Sequence, residues 1–454
     1  MEQLRALLLQ NTTPIYFMDW CAFTALGMEE YIGNFHFICA ADTFNGQHPN
    51  VFVPKDYLYD HSLSSKETLN SLLRHPEVHD FIKSRGKGKV MFWLFDEESE
   101  RLAGELGLEI CLPPVALRRH WDNKANTNRL AEKAGVPCVP YILSPVKDYE
   151  HLRSISAHLG THLVVQLPFG MSGRTTYFIS DESDFEKHKS AIVNSDELKI
   201  MRRINCRSAG LEACITKQGV AVSPLLVELV GCPELTLYKG GWCGNEFLPN
   251  AFPDYIIQQA KEYTVKMGEA LRQVGYTGYF EPDYLVDLDD GTLYLGEMNL
   301  RFSGFTPLIN NTNLSREDIP LLLLHLAEWL DVEYDIDIPA LNERWTDQQN
   351  LSPLSFLHCK HVEDQVASPI TTGIYSMDKE GKAVYLRPAL NPSSLGQNEV
   401  FWLSTAGVNT SIVKGDEIGA LFIRERVTAD GQNLTEKAKE WVAAIKNYHQ
   451  TATP

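Results

Sequence analysis

Short apolar runs separated by stretches of helical spacing open the chain. Pro14-Ile15-Tyr16-Phe17-Met18, Phe35-His36-Phe37-Ile38-Cys39-Ala40 and Lys89-Val90-Met91-Phe92-Trp93-Leu94-Phe95 each predict a buried strand. Glu98 to Leu106 has helical spacing, and Gly107 would stop it. Strands alternating with helices predict a small parallel α/β layer over residues 1–115. No glycine fingerprint follows the first strand, so no independent dinucleotide site is expected there.

The pattern changes after residue 120. A helix is predicted with Lys124 near its start and Gly135 at its end, and Pro137 and Pro140 force an extended exit. Leu163-Val164-Val165 predicts a strand running into Gly170-Met171-Ser172-Gly173-Arg174, and Thr175 to Ile179 returns. A glycine loop between two strands is not a Walker loop, which leads into a helix. It can still fold over phosphates through backbone N–H groups and the Ser172 hydroxyl. An ordinary hairpin loop accounts for the same residues. Residues 198–215 predict two strands around Arg207-Ser208-Ala209-Gly210, with Arg202, Arg203 and Arg207 concentrating positive charge. The loop Lys239 to Glu246 offers glycines, Trp242 and polar side chains to a substrate. Residues 254–275 predict a long amphipathic helix.

A hairpin follows, with Tyr284-Leu285-Val286 as one strand, Asp289-Asp290-Gly291 as the turn and Thr292 to Leu295 as the other. Residues two apart in an extended chain share a face. Glu297, Asn299 and Arg301 therefore point one way, and pairing brings Asp283 to the same side. Two carboxylates and an amide oxygen suit Mg²⁺, which works together with substrate phosphates. A solvated charged face fits the same spacing. Residues 335–352 are polar and read as a connection. From 353 onward short β runs and turns dominate, ending in a helix capped by Thr435. A small β-rich C-terminal domain over 353–454 is expected, packing or closing over the pocket or allowing a homodimer contact.

Composition narrows the classes. The 454 residues carry a net charge of −18, with 44% apolar and 22% charged residues. Such a chain is globular, and the negative field argues against a general nucleic-acid or anionic-membrane binder. No apolar run is long enough for a membrane span, and the N-terminus lacks the pattern of a signal peptide. The nine cysteines are scattered without a CxxC, which fits reduced thiols and a cytoplasmic location. The fourteen histidines form no HExxH spacing, so structural zinc is not expected.

The order of pieces carries more than any one of them: a lysine on an entry helix, a β-strand, a Gly/Ser loop, a central strand, a long helix, then Asp283 and Glu297-Met298-Asn299-Leu300-Arg301. This order resembles the ATP-grasp superfamily over roughly residues 110–330. The Glu-Met-Asn-Leu-Arg segment is similar to the signature of biotin carboxylase and related ligases, and the GWCGNE stretch resembles peptide and amino-acid ligases of the pheganomycin type. The resemblance implies an N-terminal α/β domain over 1–115 and an ATP-grasp fold of two subdomains over 116–335, with a lid subdomain at about 160–230. The β-rich C-terminal domain completes it.

The resemblance also implies roles. Asp283 and Glu297, with Asn299, would coordinate Mg²⁺, or Mn²⁺ in its place. Arg301 would steady the transferred phosphoryl group. Lys124 would bind the nucleotide, and Ser172 and Gly173 would belong to the phosphate lid. Arg202, Arg203 and Ile204 would form the hinge against which adenine packs. Ser303 and Gly304 would offer N–H groups to a substrate carboxylate. Glu246 and Glu212 are the candidate bases, Glu246 also as a substrate contact. One departure stands out: the family's second lysine is here Gln166. Arg174, Arg202 or Arg203 is expected to supply the missing charge, which makes Arg174 a candidate catalytic residue.

The implied reaction activates a carboxylate with ATP as an acyl-phosphate and joins it to an amine, releasing ADP and phosphate. Its substrates would be small carboxylates and amines, such as amino acids or a short peptide. Two other classes fit parts of the sequence. A bicarbonate-activating carboxylase shares the signature, but Phe302-Ser303-Gly304 stands where the biotin enzymes carry a glutamine, a valine and a glutamate. A non-catalytic ATP-binding protein would explain Gln166.

Overall fold

The computed structural model describes residues 1–55, 57, 63–170, 173–407 and 410–448. Its first layer is a parallel sheet of β1 (Ile15–Asp19), β2 (Phe35–Cys39), β3 (Val51–Phe52), β4 (Lys89–Phe92) and β5 (Glu109–Ile110), in the order β3-β2-β1-β4-β5. Ile15, Tyr16, Phe17 and Met18 are all buried, the continuous apolar run of a strand covered on both faces. The three predicted strands are β1, β2 and β4. The strands β3 and β5 are too short to leave a periodic signal. The strand order reverses at β1, and Asp19 ends that strand at its carboxyl end, where open α/β sheets place ligands. The predicted helix is Glu97–Glu105, held at its start by a capping box of Asp96 and Ser99.

The entry helix is α1 (Lys124–Ala134). The Asn123 side chain accepts from the N–H groups of Ala125 and Asn126, and Gly135 ends the helix at φ +68°. A four-stranded antiparallel sheet follows, of β6 (Tyr141–Ser144), β7 (Leu163–Gln166), β8 (Thr176–Ile179) and β9 (Leu198–Arg202), in the order β6-β9-β7-β8. The predicted glycine-loop hairpin is β7–β8. This layer has a small core of its own that includes Leu152, Leu163, Val165, Phe185 and Ile200.

The other twelve strands form one continuous sheet. They are β10 (Cys206–Gly210), β11 (Ala213–Thr216), β12 (Gly219–Val222), β13 (Leu226–Val230), β14 (Trp242–Phe247), β15 (Gly278–Asp287), β16 (Leu293–Asn299), β17 (Leu354–Lys360), β18 (Gly373–Met377), β19 (Ala383–Arg387), β20 (Val400–Ser404) and β21 (Glu417–Ile423). The order is β12-β11-β15-β10-β13-β14-β17-β21-β20-β18-β19, with β16 paired to β15. Three expectations change. Arg207 to Gly210 lies inside β10 rather than between strands. The C-terminal strands continue the central sheet through β14–β17 pairing. The polar connection contains a helix, Ile338–Thr346, with Ile338, Leu341 and Trp345 buried. The long helix α2 (Asp254–Gln273) buries Ile256, Ile257, Ala260, Met267 and Leu271. It comes so close to β12 that a Cβ on Gly268 would lie 2.7 Å from the Val220 side chain. Among the described residues no helix is long and apolar enough to cross a membrane. All nine cysteines are free thiols.

Candidate functional site

The opening feature of the site is the β15–β16 pair. Asp283 lies directly opposite Glu297, and Glu281 lies opposite Asn299. A register shift after Asp283 interrupts the ladder at that point. Asn299 Nδ2 donates to Glu281 Oε2 at 2.6 Å and to Asp283 Oδ2 at 3.1 Å, and Arg301 donates to Asn299 Oδ1 at 2.6 Å. The strand alternation thus brings Asp283, Glu297, Asn299 and Arg301 together as the sequence predicts. Two acids join them that the sequence reading missed. Glu281 shares the face of Asp283, two residues away, and that spacing could have found it. Glu228 comes from β13 and is detectable only in three dimensions.

These four carboxylates are short of counter-charge. Burial, with the neighbouring acids, pushes Glu228, Glu281 and Asp283 above the ordinary carboxylate range. Glu297 goes the other way. Burial would raise it, but Lys124, Lys199 and Arg301 outweigh that and hold it low. Lys124 Nζ sits 2.5 Å from Glu297 Oε2. Among the described residues the buried Glu281 Oε1 has no hydrogen-bond partner. An acid cluster with an orphaned oxygen fits a divalent cation. Among the described residues no three His, Cys, Asp or Glu side chains converge into a complete ligand set. A Mg²⁺-type site takes one or two carboxylates and leaves the other positions to water and phosphate oxygens.

The second wall is the β6–β9 layer. The N–H of Lys124 donates to the carbonyl of Pro168 at 3.0 Å, tying α1 to the end of β7. Gln166 is buried. Its amide donates to Thr176 Oγ1 at 3.2 Å, and among the described residues its Oε1 has no partner. Directly opposite it on β9 is Lys199, another residue the sequence reading passed over. Arg202 and Arg203 are exposed, and Arg203 lies over the Phe178 ring at 5.3 Å. Ile204 packs with Val139, Val164, Met201, Tyr141, Leu285 and Tyr294 in a small apolar cluster between the two sheets. Ser172 lies outside the described residues. Gly173 approaches the 239–241 loop so closely that a Cβ would fall 2.3 Å from the Gly240 carbonyl oxygen.

Among the described residues Arg174 makes no contact with the acid cluster. It lies over the Tyr238 ring at 5.9 Å and lends positive potential to Glu417. Around Glu417 a second polar group gathers. His358 Nε2 is 3.3 Å from the Glu417 carboxylate, and Lys360 lies over the same Tyr238 ring at 5.8 Å. Burial would raise Glu417, but His358, Lys360 and Arg174 bring it down to about 2. Asp19, at the end of β1, adds a carboxyl that burial raises to about 7. Phe23 and Trp242 flank His358 at ring distances of 5.9 and 4.8 Å. Trp242 also lies against Gly304, where a Cβ would come within 2.4 Å of its ring. This group therefore adjoins the 301–304 turn that leaves the acid cluster.

Three expected contacts go elsewhere. The Ser303 N–H donates to Thr306 Oγ1 at 3.0 Å, so it is spent inside its own turn. Glu212 braces that turn. Its buried carboxylate accepts from Ser303 Oγ at 2.8 Å, from Thr306 Oγ1 and from the Tyr279 hydroxyl, and burial raises it to about 7. Glu246 is fully buried and accepts from the N–H groups of Val427 and Thr428 and from Thr428 Oγ1 at 2.7, 2.8 and 2.6 Å. Both acids are structural anchors rather than bases facing a substrate. Arg207 is likewise committed, to the Ala251 carbonyl at 2.8 Å and the Phe252 ring.

No family model matches the chain. Over 235 residues it is 26% identical to a [butirosin acyl-carrier protein]–L-glutamate ligase of Niallia circulans, spanning 50% of this chain and 55% of that one. Over 194 residues it is 27% identical to a D-alanine–D-alanine ligase of a Thermoanaerobacter strain, spanning 41% of this chain and 52% of that one. The chain thus spans about half the length of these curated relatives. In three dimensions it superposes on biotin carboxylase of Campylobacter jejuni, solved as a β-γ-ATP complex, with a TM-score of 0.60 at 14% identity, covering 94% of this chain and 89% of that one. The chain carries the ATP-grasp fold that these enzymes share.

Proposed function

We propose that this protein is an ATP-dependent ligase that activates a carboxylate as an acyl-phosphate and joins it to an amine. One observation carries the reading above the rest: Asp283 and Glu297 face each other across β15–β16 in an acid-rich pocket, with Lys124 in contact with Glu297, Asn299 in contact with Asp283, and Arg301 donating to Asn299. Mg²⁺ bound there would neutralise the phosphate oxygens and the charge that develops during transfer. Asp283 and Glu297 would hold it, with Glu281 and Glu228 behind them. Lys124 would exchange its Glu297 partner for a phosphate. Arg301 would face the transferred group, held in place by Asn299. The apolar cluster around Ile204 would receive adenine.

The polar group of Asp19, His358, Lys360 and Glu417, walled by Phe23 and Trp242, would receive the amine. Its mixed charge suits a zwitterion: the ammonium would lie against the carboxylates and the carboxylate against Lys360 and Arg174. Amino acids or a short peptide fit that description. The free thiols fit a cytoplasmic enzyme.

The test is ADP release in the presence of Mg²⁺ and pairs of amino acids, followed by product mass. Release that requires both partners, with a product one water lighter than their sum, supports a ligase. Release that depends on bicarbonate instead would reassign the protein as a carboxylase. Nucleotide binding without turnover across broad pools would make it a non-catalytic binder.

A further inference from the structure

The anomaly at Gln166 has its counterpart on the neighbouring strand. Gln166 and Lys199 are direct partners in the β7–β9 ladder. Directly opposite residues of an antiparallel pair project to the same face with their Cβ atoms about 5 Å apart. Lys199 is 2% exposed, the only charged side chain of the buried stretch Leu198 to Met201. Such a residue on the inner surface of a strand is costly without a partner for its charge. Its Nζ donates to the carbonyl of Gly296 at 2.6 Å, the residue before Glu297. An ammonium has three donors. Among the described residues this is the one side-chain hydrogen bond of Lys199. Burial lowers Lys199 to about 8, opposed by Cys138 and Glu297 and reinforced by Lys124. Its bond to the Gly296 carbonyl sets the ammonium beside Glu297, within the field of the acid cluster and Lys124.

The arginines expected to replace the missing lysine are less well placed. Arg202 and Arg203 are exposed, and Arg174 is associated with Tyr238 and Glu417. Among the described residues the buried Gln166 Oε1 has no partner, beside the spot where Lys199 enters.

We infer that Lys199 supplies the second phosphate-binding cation of this site, moved one strand across from position 166, and that Gln166 orients it. This rests on the nucleotide-binding reading above. With nucleotide bound, the Lys199 ammonium would keep its bond to Gly296 and direct a free donor to a phosphate oxygen. The Gln166 carbonyl oxygen would accept the third.

Three variants test it: Lys199→Gln, Gln166→Lys, and the two together. The readout is the dissociation constant of Mg·ADP and of a non-hydrolysable ATP analogue by titration calorimetry, with circular dichroism and thermal unfolding as controls for the fold. Lys199→Gln should weaken binding by about 10-fold or more, the scale of a lost charged hydrogen bond. Uniting the substitutions returns a lysine to the same face from β7 and should restore most of the loss. A folded Lys199→Gln protein with unchanged affinity would overturn the inference, assigning Lys199 only to pinning β16. Failure of the double variant to regain affinity, with its fold intact, would overturn it too. Wild-type protein that binds neither nucleotide would overturn the function itself, which separates that failure from the other two.

Discussion

At the scale of single residues, the site depends on where each charge finds its opposite. Glu297 is the pivot, because it faces Asp283 on one side and Lys124 on the other. Glu297→Gln keeps the shape and removes one anionic ligand and one ion-pair partner. Activity should fall by about 100-fold or more, in line with loss of electrostatic stabilisation in a transferring site. Thermal unfolding should shift down without loss of the fold, because Lys124 loses its buried partner while the crowding of Glu297 with Asp283 and Glu228 is relieved. An active Glu297→Gln enzyme would remove Asp283 and Glu297 from the metal role. Asp283, Glu297, Asn299 and Arg301 were readable from the sequence because alternation within one hairpin is a local property. Lys199 and Glu228 were not, because each reaches the site through strand pairings set by the whole chain, and Asp19 was not, because it comes near Glu417 only once the parallel layer packs on the central sheet.

At the scale of elements, the two acids offered by the sequence as candidate bases, Glu212 and Glu246, serve to hold turns together. The β14 residue Glu246 ties residues 427–428 to the central sheet, and Glu212 ties the 303–306 turn to β15 through Tyr279. Each is the single charged residue of its stretch, 208–216 and 240–253, which on sequence alone looks the same as a buried catalytic acid. The difference is the set of donors around each oxygen. Glu246→Ala leaves two backbone N–H groups and a hydroxyl buried without acceptors. That should cost about 2–5 kcal/mol of stability. The loss should appear in urea unfolding, while Mg·nucleotide affinity measured below the transition stays near wild type. A large affinity loss in a stably folded Glu246→Ala protein would return Glu246 to the site. Most strands were legible to within a few residues; the two-residue β3 and β5 were not, nor was β14, whose Trp242 to Glu246 read as a loop, nor β10. That strand carries Arg207 and Gly210, which read as a turn until their pairing with β13 and β15 is known.

At the scale of the molecule, His325 joins the layers. Its Nε2 is 2.7 Å from the Cys111 carbonyl, just beyond β5, and its Nδ1 accepts the Tyr279 N–H of β15 at 3.2 Å. The neutral imidazole satisfies both partners in one tautomer. A second proton would have to sit on Nδ1, facing an N–H donor. Burial accordingly lowers His325 to about 4. A histidine whose folded pKa lies below its unfolded value binds fewer protons when folded. Its contribution is therefore complete above about 6.5 and is lost as pH falls from there through 4. The linkage is on the order of 3 kcal/mol when complete. Asp19 and Glu212 act in the opposite sense. Both are raised to about 7, so their folded forms gain protons first and their contribution shrinks as pH rises from about 4 to 7. The wild-type profile sums these trends and is flatter than any one of them. His325→Gln removes only the first. The difference in urea stability between wild type and His325→Gln should therefore shrink by about 2 kcal/mol between pH 7 and pH 4.5. A difference that stays constant over that range would mean that His325 is not held neutral, and that the contact between the parallel layer and the central sheet is not where acid first acts.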